Sequence, residues 1–324
     1  MALLLPILLL ILGLVILVVA GDVLVRGAAA LARHWGVPAL IVGLTIVAFG
    51  TSAPELVVSV NAVLDGVGQM AAGNVVGSNI ANILLALGLP ALIMAIPTNM
   101  SGVARNTTVC VVATLIFVIL AFIGNPLIFW QGAILFAGIV IYLSWMFVLA
   151  RAGVDETILE EMAEIEEGRG GLPKSVWLDC VYVVAGLIGL FLGGEMIVNN
   201  AVILAGGLGI SETIIGLTIV AIGTSLPEIT TVIVASLRGH SEVALGNVLG
   251  SNVFNLFAVM GAAAMTGPVL VEPGLFAFDF WVMLAATFAL LIFVMSRRPI
   301  GRKTGLIFVV AYILYMLAIL RGVM

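Results

Sequence analysis

Charged residues are scarce in this sequence. Only 9% of its 324 residues are charged and 63% are hydrophobic, whereas soluble domains contain about 25% charged residues. The basic residues form no basic face, which excludes a nucleic-acid-binding protein. The two cysteines, Cys110 and Cys180, lack metal-ligand spacing and are predicted to be small buried residues. No basic segment precedes the apolar N-terminal run, which therefore predicts a membrane helix rather than a secretory signal.

Long apolar runs predict ten membrane spans. Runs of about 18 to 25 apolar residues are long enough to cross a bilayer as helices. Five such runs precede a polar stretch at 151–175 and five follow it, so we expect an all-α membrane protein with ten transmembrane helices. The runs lie near residues 3–25, 39–63, 69–96, 104–123, 127–150, 177–199, 212–237, 243–267, 275–296 and 303–322.

The positions of the basic residues support this count. If ten spans alternate across the bilayer, eleven of the twelve Lys and Arg residues fall in loops on one side, and only Arg321 falls on the other. Cytoplasmic loops carry the excess of basic residues, so both termini should face outward. The compact chain is typical of a bacterial or archaeal protein, which predicts a multi-pass protein of the plasma (inner) membrane.

The linker at 151–175 contains seven acidic residues. We interpret it as a solvated cytoplasmic segment, with a cation-sensing or regulatory role as the alternative. Dedicated Ca²⁺ loops space their ligands around a glycine turn, and this stretch lacks that pattern.

Two motifs recur at an offset of 173 residues. Residues 43–55 read GLTIVAFGTSAPE and residues 216–228 read GLTIVAIGTSLPE. Residues 73–79 read GNVVGSN and residues 246–252 read GNVLGSN, followed by Asn82 and Asn255. Because each half holds five spans, an odd number, the second copy enters the membrane from the opposite side. The sequence therefore predicts two inverted five-helix repeats, at 1–150 and 176–324, with a substrate site near the midplane between them.

A proline interrupts each copy of the first motif. The ring of Pro54 opposes the carbonyl of Gly50, so the helix should break there. We expect the carbonyls around Ala48 to Thr51 to lose their partners, which lipid tolerates only where they line a polar cavity. The first half-helix would also point its negative dipole end inward. The second copy repeats the construction with Gly223 and Pro227.

Glu55 and Glu228 bring one carboxylate each to these breaks. An ionised side chain at bilayer depth costs about 2.5–3.5 kcal/mol on insertion scales. Two close carboxylates repel each other unless a cation or a proton joins them. The alternative is a structural role in which each carboxyl is protonated or hydrogen-bonded to neighbouring hydroxyls.

The second motif places small and polar residues on one helix face. Its glycines, which include Gly77 and Gly250, recur four residues apart and allow close backbone approach. Ser78 with Asn82, and Ser251 with Asn255, are also four apart, so each pair shares a face. Interhelical hydrogen bonding alone is the alternative role for these side chains.

Together these motifs supply a set of oxygen donors. Ca²⁺ takes 6–8 oxygen ligands, and the motifs offer two carboxylates, eight hydroxyl or amide groups and backbone carbonyls. No thiol or imidazole is near, so the set suits Ca²⁺ or Na⁺ better than Zn²⁺ or Cu⁺. In addition to the two glutamates, the candidate side-chain ligands are Thr51, Ser52, Ser78, Asn82, Thr224, Ser225, Ser251 and Asn255.

These motifs resemble the paired repeats of the Na⁺/Ca²⁺ exchangers of the cation/Ca²⁺ antiporter superfamily, and the resemblance covers essentially the whole chain. It implies that Glu55 and Glu228 ligate Ca²⁺ with help from backbone oxygens of Thr51 and Thr224. It implies Na⁺ sites formed by the hydroxyls of Thr51, Thr224, Ser78 and Ser251 with the carbonyls of Ala48 and Ala221, supported by Ser52 and Ser225.

The resemblance also implies an antiporter, not an enzyme, that exchanges Ca²⁺ for Na⁺ by alternating access. It implies no cofactor and no obligate protein partner besides membrane lipid. Many sodium-coupled members carry an aspartate where this chain has Asn255, which leaves Ca²⁺/H⁺ exchange or K⁺ involvement as the alternative. The first and sixth spans would move against a fixed core. Asp22 and Glu195, near the ends of these two spans, would guide ions or serve as interfacial charges.

Other classes of function fit less well. A channel would need no counter-ion. A membrane metalloprotease needs a His-Glu-x-x-His motif, which is absent, and a serine hydrolase needs a His or Lys base, for which no predicted mid-membrane residue exists.

Overall fold

The computed structural model describes residues 4–151, 175–207 and 221–321, and this part of the chain is helical, without a β-strand. The helices are α1 (Leu4–Trp35), α2 (Ala39–Thr51), α3 (Ala53–Leu64), α4 (Gln69–Ile93), α5 (Val103–Ile123), α6 (Phe129–Arg151), α7 (Val176–Gly207), α8 (Ala221–Thr224), α9 (Leu226–Leu237), α10 (Ser241–Thr266), α11 (Leu275–Met295) and α12 (Arg302–Leu320).

Eight of these helices are long and apolar enough to cross a membrane, and the pair α2–α3, bent by 42°, makes a ninth candidate span among the described residues. The predicted run at 212–237 includes α8 and α9, but its first part falls in 208–220, outside the described residues. Most of the acidic linker, at 152–174, also lies outside them. The chain is thus an all-α, multi-pass membrane protein.

Helices α1 and α7 are longer than the apolar runs that predict them. Each contains 32 residues, because the helix continues to Trp35 beyond the first run, which ends near 25, and to Gly207 beyond the sixth run, which ends near 199. Asp22 and Glu195 consequently lie inside these helices rather than near their ends.

The two long helices pack against each other in opposite directions through glycines. A Cβ atom at Gly13 would lie 3.1 Å from the carbonyl oxygen of Gly193, and one at Gly186 would lie 2.6 Å from Leu24. Since any side chain there would collide with the partner helix, glycine lets the backbones approach closely. Away from this seam both helices remain largely exposed at the periphery of the bundle.

The core is formed around α4 and α10, whose apolar windows are mostly buried. The first half of α2 packs tightly on α10, since a Cβ at Gly250 would lie 2.6 Å from both the Leu44 carbonyl oxygen and the Ala48 Cβ. The counterpart of Leu44 at the 173-residue offset is Leu217, outside the described residues, so the equivalent packing at Gly77 is not described.

Contacts recur between the two halves at the same offset. The loops meet through two antiparallel bridges, Ile96 with Ile300 and Leu127 with Val269. Adding 173 to Ile96 and to Leu127 gives Val269 and Ile300, so the offset converts one bridge into the other.

A pair of tyrosine contacts follows the same rule. The Tyr142 hydroxyl donates to Asn106 at 3.3 Å, and the Tyr315 hydroxyl donates to Asp279 at 2.6 Å. The sequence repeat is therefore accompanied by repeated tertiary contacts between residues outside the two motifs.

Candidate cation site

Each copy of the first motif breaks its helix at a serine. Ser52 has φ −87° and ψ 3°, and Ser225 has φ −87° and ψ 1°. The Ser52 N–H still donates to the Ala48 carbonyl at 3.0 Å, so the expectation that this carbonyl loses its partner is wrong. The Thr51 hydroxyl also lies within hydrogen-bond distance of the Ala48 carbonyl oxygen, at 3.4 Å, so a cation at this oxygen would compete with Thr51 for the second lone pair.

The prolines begin the second half-helices instead of kinking a continuous one. Pro54 and Pro227 occupy the first turns of α3 and α9, where the missing N–H has no intrahelical partner to lose. Glu55 and Glu228 follow directly and lie in the same first turns. The positive dipole end of a helix stabilises a carboxylate at that position. Sequence reasoning considered only the negative ends of the preceding half-helices.

The two glutamates lie inside the protein and not against lipid. Both are 0% exposed. The Ser52 hydroxyl donates to Glu228 Oε1 at 3.1 Å, a contact between the two halves. Both oxygens of Glu55, and Oε2 of Glu228, have no hydrogen-bond partner among the described residues. Since Ser52 lies three residues before Glu55, its bond to Glu228 brings the two glutamates to the same centre, where a cation or a proton between the carboxyls would relieve their repulsion.

Threonine and serine hydroxyls from the breaks contact the second motif of the opposite half. Thr51 donates to Asn247 Oδ1 at 3.1 Å and lies 3.4 Å from the Ser251 hydroxyl. Thr224 donates to Asn74 Oδ1 at 3.4 Å, the contact related to the first by the repeat.

Ser225 completes this set of contacts between the halves. Its hydroxyl donates to the Ser78 hydroxyl at 3.3 Å. Each break therefore faces the glycine-asparagine motif of the other half, and the four polar segments meet at one centre.

The two predicted asparagines reach the same centre in different ways. Asn82 donates through Nδ2 to Asn252 Oδ1 at 3.0 Å, and its own Oδ1 has no partner among the described residues. Both side-chain atoms of Asn255 lack a partner in the same part of the chain. Since both residues are 0% exposed, their free oxygens are available inside the protein.

The remaining predicted residues surround this centre. Ala48 is buried against α10, whereas only the helical backbone of Ala221, the first residue of α8, is described. Gly50 and Gly223 face α7: a Cβ at each would meet the side-chain ends of Leu187 and Val198 at 2.5 and 2.1 Å. The breaks therefore lie directly against one of the two peripheral long helices.

Sequence reasoning missed the asparagines that hold these groups. Asn74 and Asn247 accept from the two threonines, and Asn252 binds Asn82. Asn74 and Asn247 lie one helical turn before Ser78 and Ser251, so extending the polar stripe by four residues would have found them. Asn252 lies three residues before Asn255, on the same helix face, but its contact with Asn82 of the other half is not visible in the sequence.

The donors at this centre are two carboxylates, hydroxyls and amide oxygens. Among the described residues no group of three or more His, Cys, Asp or Glu side chains lies together. The set therefore consists of hard oxygen donors with two negative charges, which suits Ca²⁺ or Na⁺.

Comparison with known proteins gives the family. The family model described as "Sodium/calcium exchanger protein" matches residues 5–148 and 179–321. Among curated proteins, the "Putative antiporter CaxA" of Alkalimonas amylolytica is 38% identical over 94% of this chain and 95% of its own length. The "Sodium/calcium exchanger MaX1" of Methanosarcina acetivorans is 30% identical over 96% of this chain and 97% of its own length.

Solved structures agree with this assignment. A structure of the sodium-calcium exchanger NCX_Mj, soaked with 10 mM Na⁺ and no Ca²⁺, matches with a TM-score of 0.83 and 30% identity, covering 98% of both chains. The chain belongs to the sodium/calcium exchanger family, whose members are membrane transporters and not enzymes.

Proposed function

We propose that this protein is a secondary antiporter that exchanges Ca²⁺ for Na⁺ by alternating access, with Glu55 and Glu228 as the charged ligands. The observation that carries the proposal is a pair of fully buried carboxylates on two related helix breaks, with three of their four oxygens left without a partner among the described residues. Such a pair of carboxylates is costly in a membrane unless a cation binds between them for part of the transport cycle.

The charge of the centre gives a simple reason for exchange. Two carboxylates balance one Ca²⁺ or two Na⁺ ions, so occupancy by one excludes occupancy by the other. Thr51, Thr224, Ser78 and Ser251 supply hydroxyl oxygens. Neutral ligands complete the 6–8 oxygens that Ca²⁺ takes. They are the side chains of Ser52, Ser225, Asn82 and Asn255 and the carbonyls of Ala48 and Ala221.

The proposed architecture is ten spans in two inverted five-helix repeats, at 1–150 and 176–324, with the acidic linker at 151–175 between them. The loop bridges and tyrosine contacts that recur at the 173-residue offset support it. So does the opposite direction of α1 and α7, the first helix of each half, across their glycine seam.

The proposed orientation places both termini outside and the linker in the cytoplasm. Eleven of twelve basic residues then lie on the cytoplasmic side. The "Inner membrane protein YrbG" of Escherichia coli, 36% identical over 95% of this chain, supports placement in the plasma (inner) membrane.

Alternating access requires moving and fixed parts. The buried pair α4 and α10, with the broken helices packed on it, forms the fixed core. Helices α1 and α7 lie together at the periphery, and α7 contacts the breaks at Gly50 and Gly223, so a shift of this pair would open the centre to one side at a time.

The identity of the counter-ion is tested by ⁴⁵Ca²⁺ uptake into proteoliposomes with outward gradients of Na⁺, K⁺ or H⁺ in turn. We expect uptake with the Na⁺ gradient alone. Uptake driven only by H⁺, or requiring K⁺, would replace Na⁺ with the alternative counter-ion at the same site. Ca²⁺ flux that needs no counter-ion would indicate a channel and overturn the proposal.

A further inference from the structure

The two halves differ at the asparagines beside the centre. Asn82 donates to Asn252 Oδ1 at 3.0 Å. The repeat relates this pair to Asn255 and Asn79, which make no such bond. Asn79 instead donates to the Val75 carbonyl of its own helix at 2.8 Å, and neither side-chain atom of Asn255 has a partner among the described residues.

The bond to Asn252 decides which end of the Asn82 amide faces away. A side-chain amide has one oxygen that accepts and one nitrogen that only donates. With Nδ2 held by Asn252, Oδ1 is the end left free, and a free oxygen suits a cation whereas a free NH₂ group would repel it. Asn252 is itself held, since it donates to the Asn79 carbonyl at 3.4 Å.

We infer that Asn252 is a positioning residue that keeps the oxygen of the Asn82 amide available to the transported cation. This inference rests on the proposed function, because it presupposes that a cation binds at the centre. Asn252 acts through Asn82 and does not touch the cation itself.

The test uses Asn252→Leu, which keeps the approximate volume and removes the hydrogen bonds to Asn82 and to the Asn79 carbonyl. We expect the half-saturating Ca²⁺ concentration for exchange to rise about two- to tenfold, the effect of one intramolecular hydrogen bond, with little change in maximal rate. In an Asn82→Ala background, Asn252→Leu should cause no further rise. Asn79→Leu is the matched control, since its amide binds only its own helix.

A shift that persists in the Asn82→Ala background, or no shift at all, would overturn the role of Asn252. Thermal unfolding of each variant in detergent identifies any loss of fold, and Asn252→Ala provides a smaller replacement if the leucine does not fit. The wild type in the same assay keeps the two questions apart, since absence of Ca²⁺ exchange there would reject the proposed function itself.

A second, independent observation concerns the contact between α1 and α9. Asp22 of α1 pairs with Arg26 one turn later, at 2.8 Å, and with Arg238, the residue that follows α9. Next to it, a Cβ at Gly21 would lie 3.1 Å from the Thr230 side chain of α9. At this end of the molecule, α1 therefore covers α9 and is joined to it by an ion pair.

The related position in the other half is built differently. The offset relates Asp22, Arg26 and Arg238 to Glu195, Asn199 and Asp65, which include no basic residue. Glu195 and Asp65 are both exposed.

In the described part of the chain, the packing of α1 over α9 has no counterpart between α7 and α3. Val234 of α9 is 8% exposed under α1, but its counterpart on α3, Asn61, is exposed. Helix α7 thus leaves open the part of α3 that corresponds to the covered part of α9.

We propose that the Asp22–Arg238 ion pair is a latch that holds α1 over α9 and favours the state closed on that side. In the proposed orientation this is the cytoplasmic side, so the latch biases the exchanger toward the outward-open state. At the related position on the outer side, Glu195 and Asp65 are both acidic and form no equivalent ion pair.

Access to the outer side measures the bias. A cysteine at Asn61, in a chain with both native cysteines replaced by Ala, reports it through its rate of modification by a charged thiol reagent. We expect Asp22→Asn and Arg238→Gln each to slow modification about 1.5- to fivefold, the range for an exposed ion pair.

The double variant should behave like either single one, because both remove the same pair. Arg26→Gln, which leaves the interhelical pair in place, is the control. Unchanged rates in Asp22→Asn, or additive effects in the double variant, would overturn the latch. Ca²⁺ exchange by the same proteins shows separately whether the transporter works.

Discussion

Replacing Glu228 by Gln removes one of the two negative charges at the centre while keeping the side chain's length. In the structure, Oε1 of Glu228 accepts the Ser52 hydroxyl at 3.1 Å and Oε2 has no partner among the described residues. The amide oxygen of Gln can keep the bond to Ser52. Its NH₂ group then takes the place of the free oxygen, so a cation loses both a charge and a ligand.

The expected loss follows from the electrostatics of a buried pair. A carboxylate and a doubly charged Ca²⁺ about 4 Å apart attract each other by about 8 kcal/mol at an effective dielectric constant of about 20, twice the value for two unit charges. Removing the carboxylate also removes the cost of burying it, several kcal/mol per ion, which offsets about half of the loss. The remaining energy of about 3–4 kcal/mol corresponds to about a 10²- to 10³-fold change in affinity. We therefore expect Ca²⁺ affinity to fall by about 10²- to 10³-fold.

The assay is equilibrium ⁴⁵Ca²⁺ binding to the purified protein in detergent, with Glu272→Gln as the control. Glu272 is an exposed carboxylate in the loop before α11, so its replacement changes net charge equally but leaves the centre intact. The reasoning is refuted if both variants bind Ca²⁺ like the wild type, or if both lose affinity to the same extent.

Three further predictions concern charge and packing. Exchange of one Ca²⁺ for two Na⁺ at a two-carboxylate centre moves no net charge, so ⁴⁵Ca²⁺ uptake should not respond to an imposed potential of about 100 mV. Such a potential shifts the driving force by about 2.3 kcal/mol per net charge moved. Asn255→Asp should make uptake respond to the potential, and a potential-sensitive wild type would contradict the charge count. Gly250→Val should abolish folding because its Cβ would lie 2.6 Å from the backbone of α2. Gly301→Val, with open space around it, is the control and should elute as a monodisperse peak in size-exclusion chromatography. A well-folded Gly250→Val protein would refute the packing of α2 on α10. Tyr315→Phe should lower stability by about 1–3 kcal/mol in thermal unfolding, since it leaves the Asp279 oxygen it bonds at 2.6 Å unpaired, and an unchanged melting temperature would show that this bond contributes nothing.

The positions of the two helix breaks and of their glutamates follow from chemistry that is local in the sequence. A proline cannot continue the interior of a helix, because it lacks an N–H and its ring clashes with the carbonyl four residues before it, and an ionisable side chain in an apolar run must find a partner. Both rules led to Glu55 and Glu228, and the structure places them together in the interior.

The lengths of α1 and α7 were not predictable from hydropathy. Asp22 continues its helix because Arg26 and Arg238 satisfy its charge. Arg238 lies more than 200 positions away in the sequence, so no window of local composition contains the reason. The predicted release of the Ala48 carbonyl failed for a related reason, since the turn at Ser52 supplies an N–H that the proline rule does not consider.

The asymmetry between the halves is also beyond sequence patterns. The repeats carry the same asparagines, yet Asn82 is held by a partner and Asn255 is not. Two repeats with similar sequences need not make the same contacts in one conformation, and only the structure shows which half makes which contact.

The central claim is that the carboxylates at the two breaks carry the transported Ca²⁺. The most direct measurement compares ⁴⁵Ca²⁺ uptake, driven by an outward Na⁺ gradient, in vesicles holding equal amounts of the wild type and Glu55→Gln. We expect gradient-dependent uptake by the wild type and uptake no greater than that of empty vesicles by the variant. A Glu55→Gln protein that accumulates Ca²⁺ at the wild-type rate would contradict it.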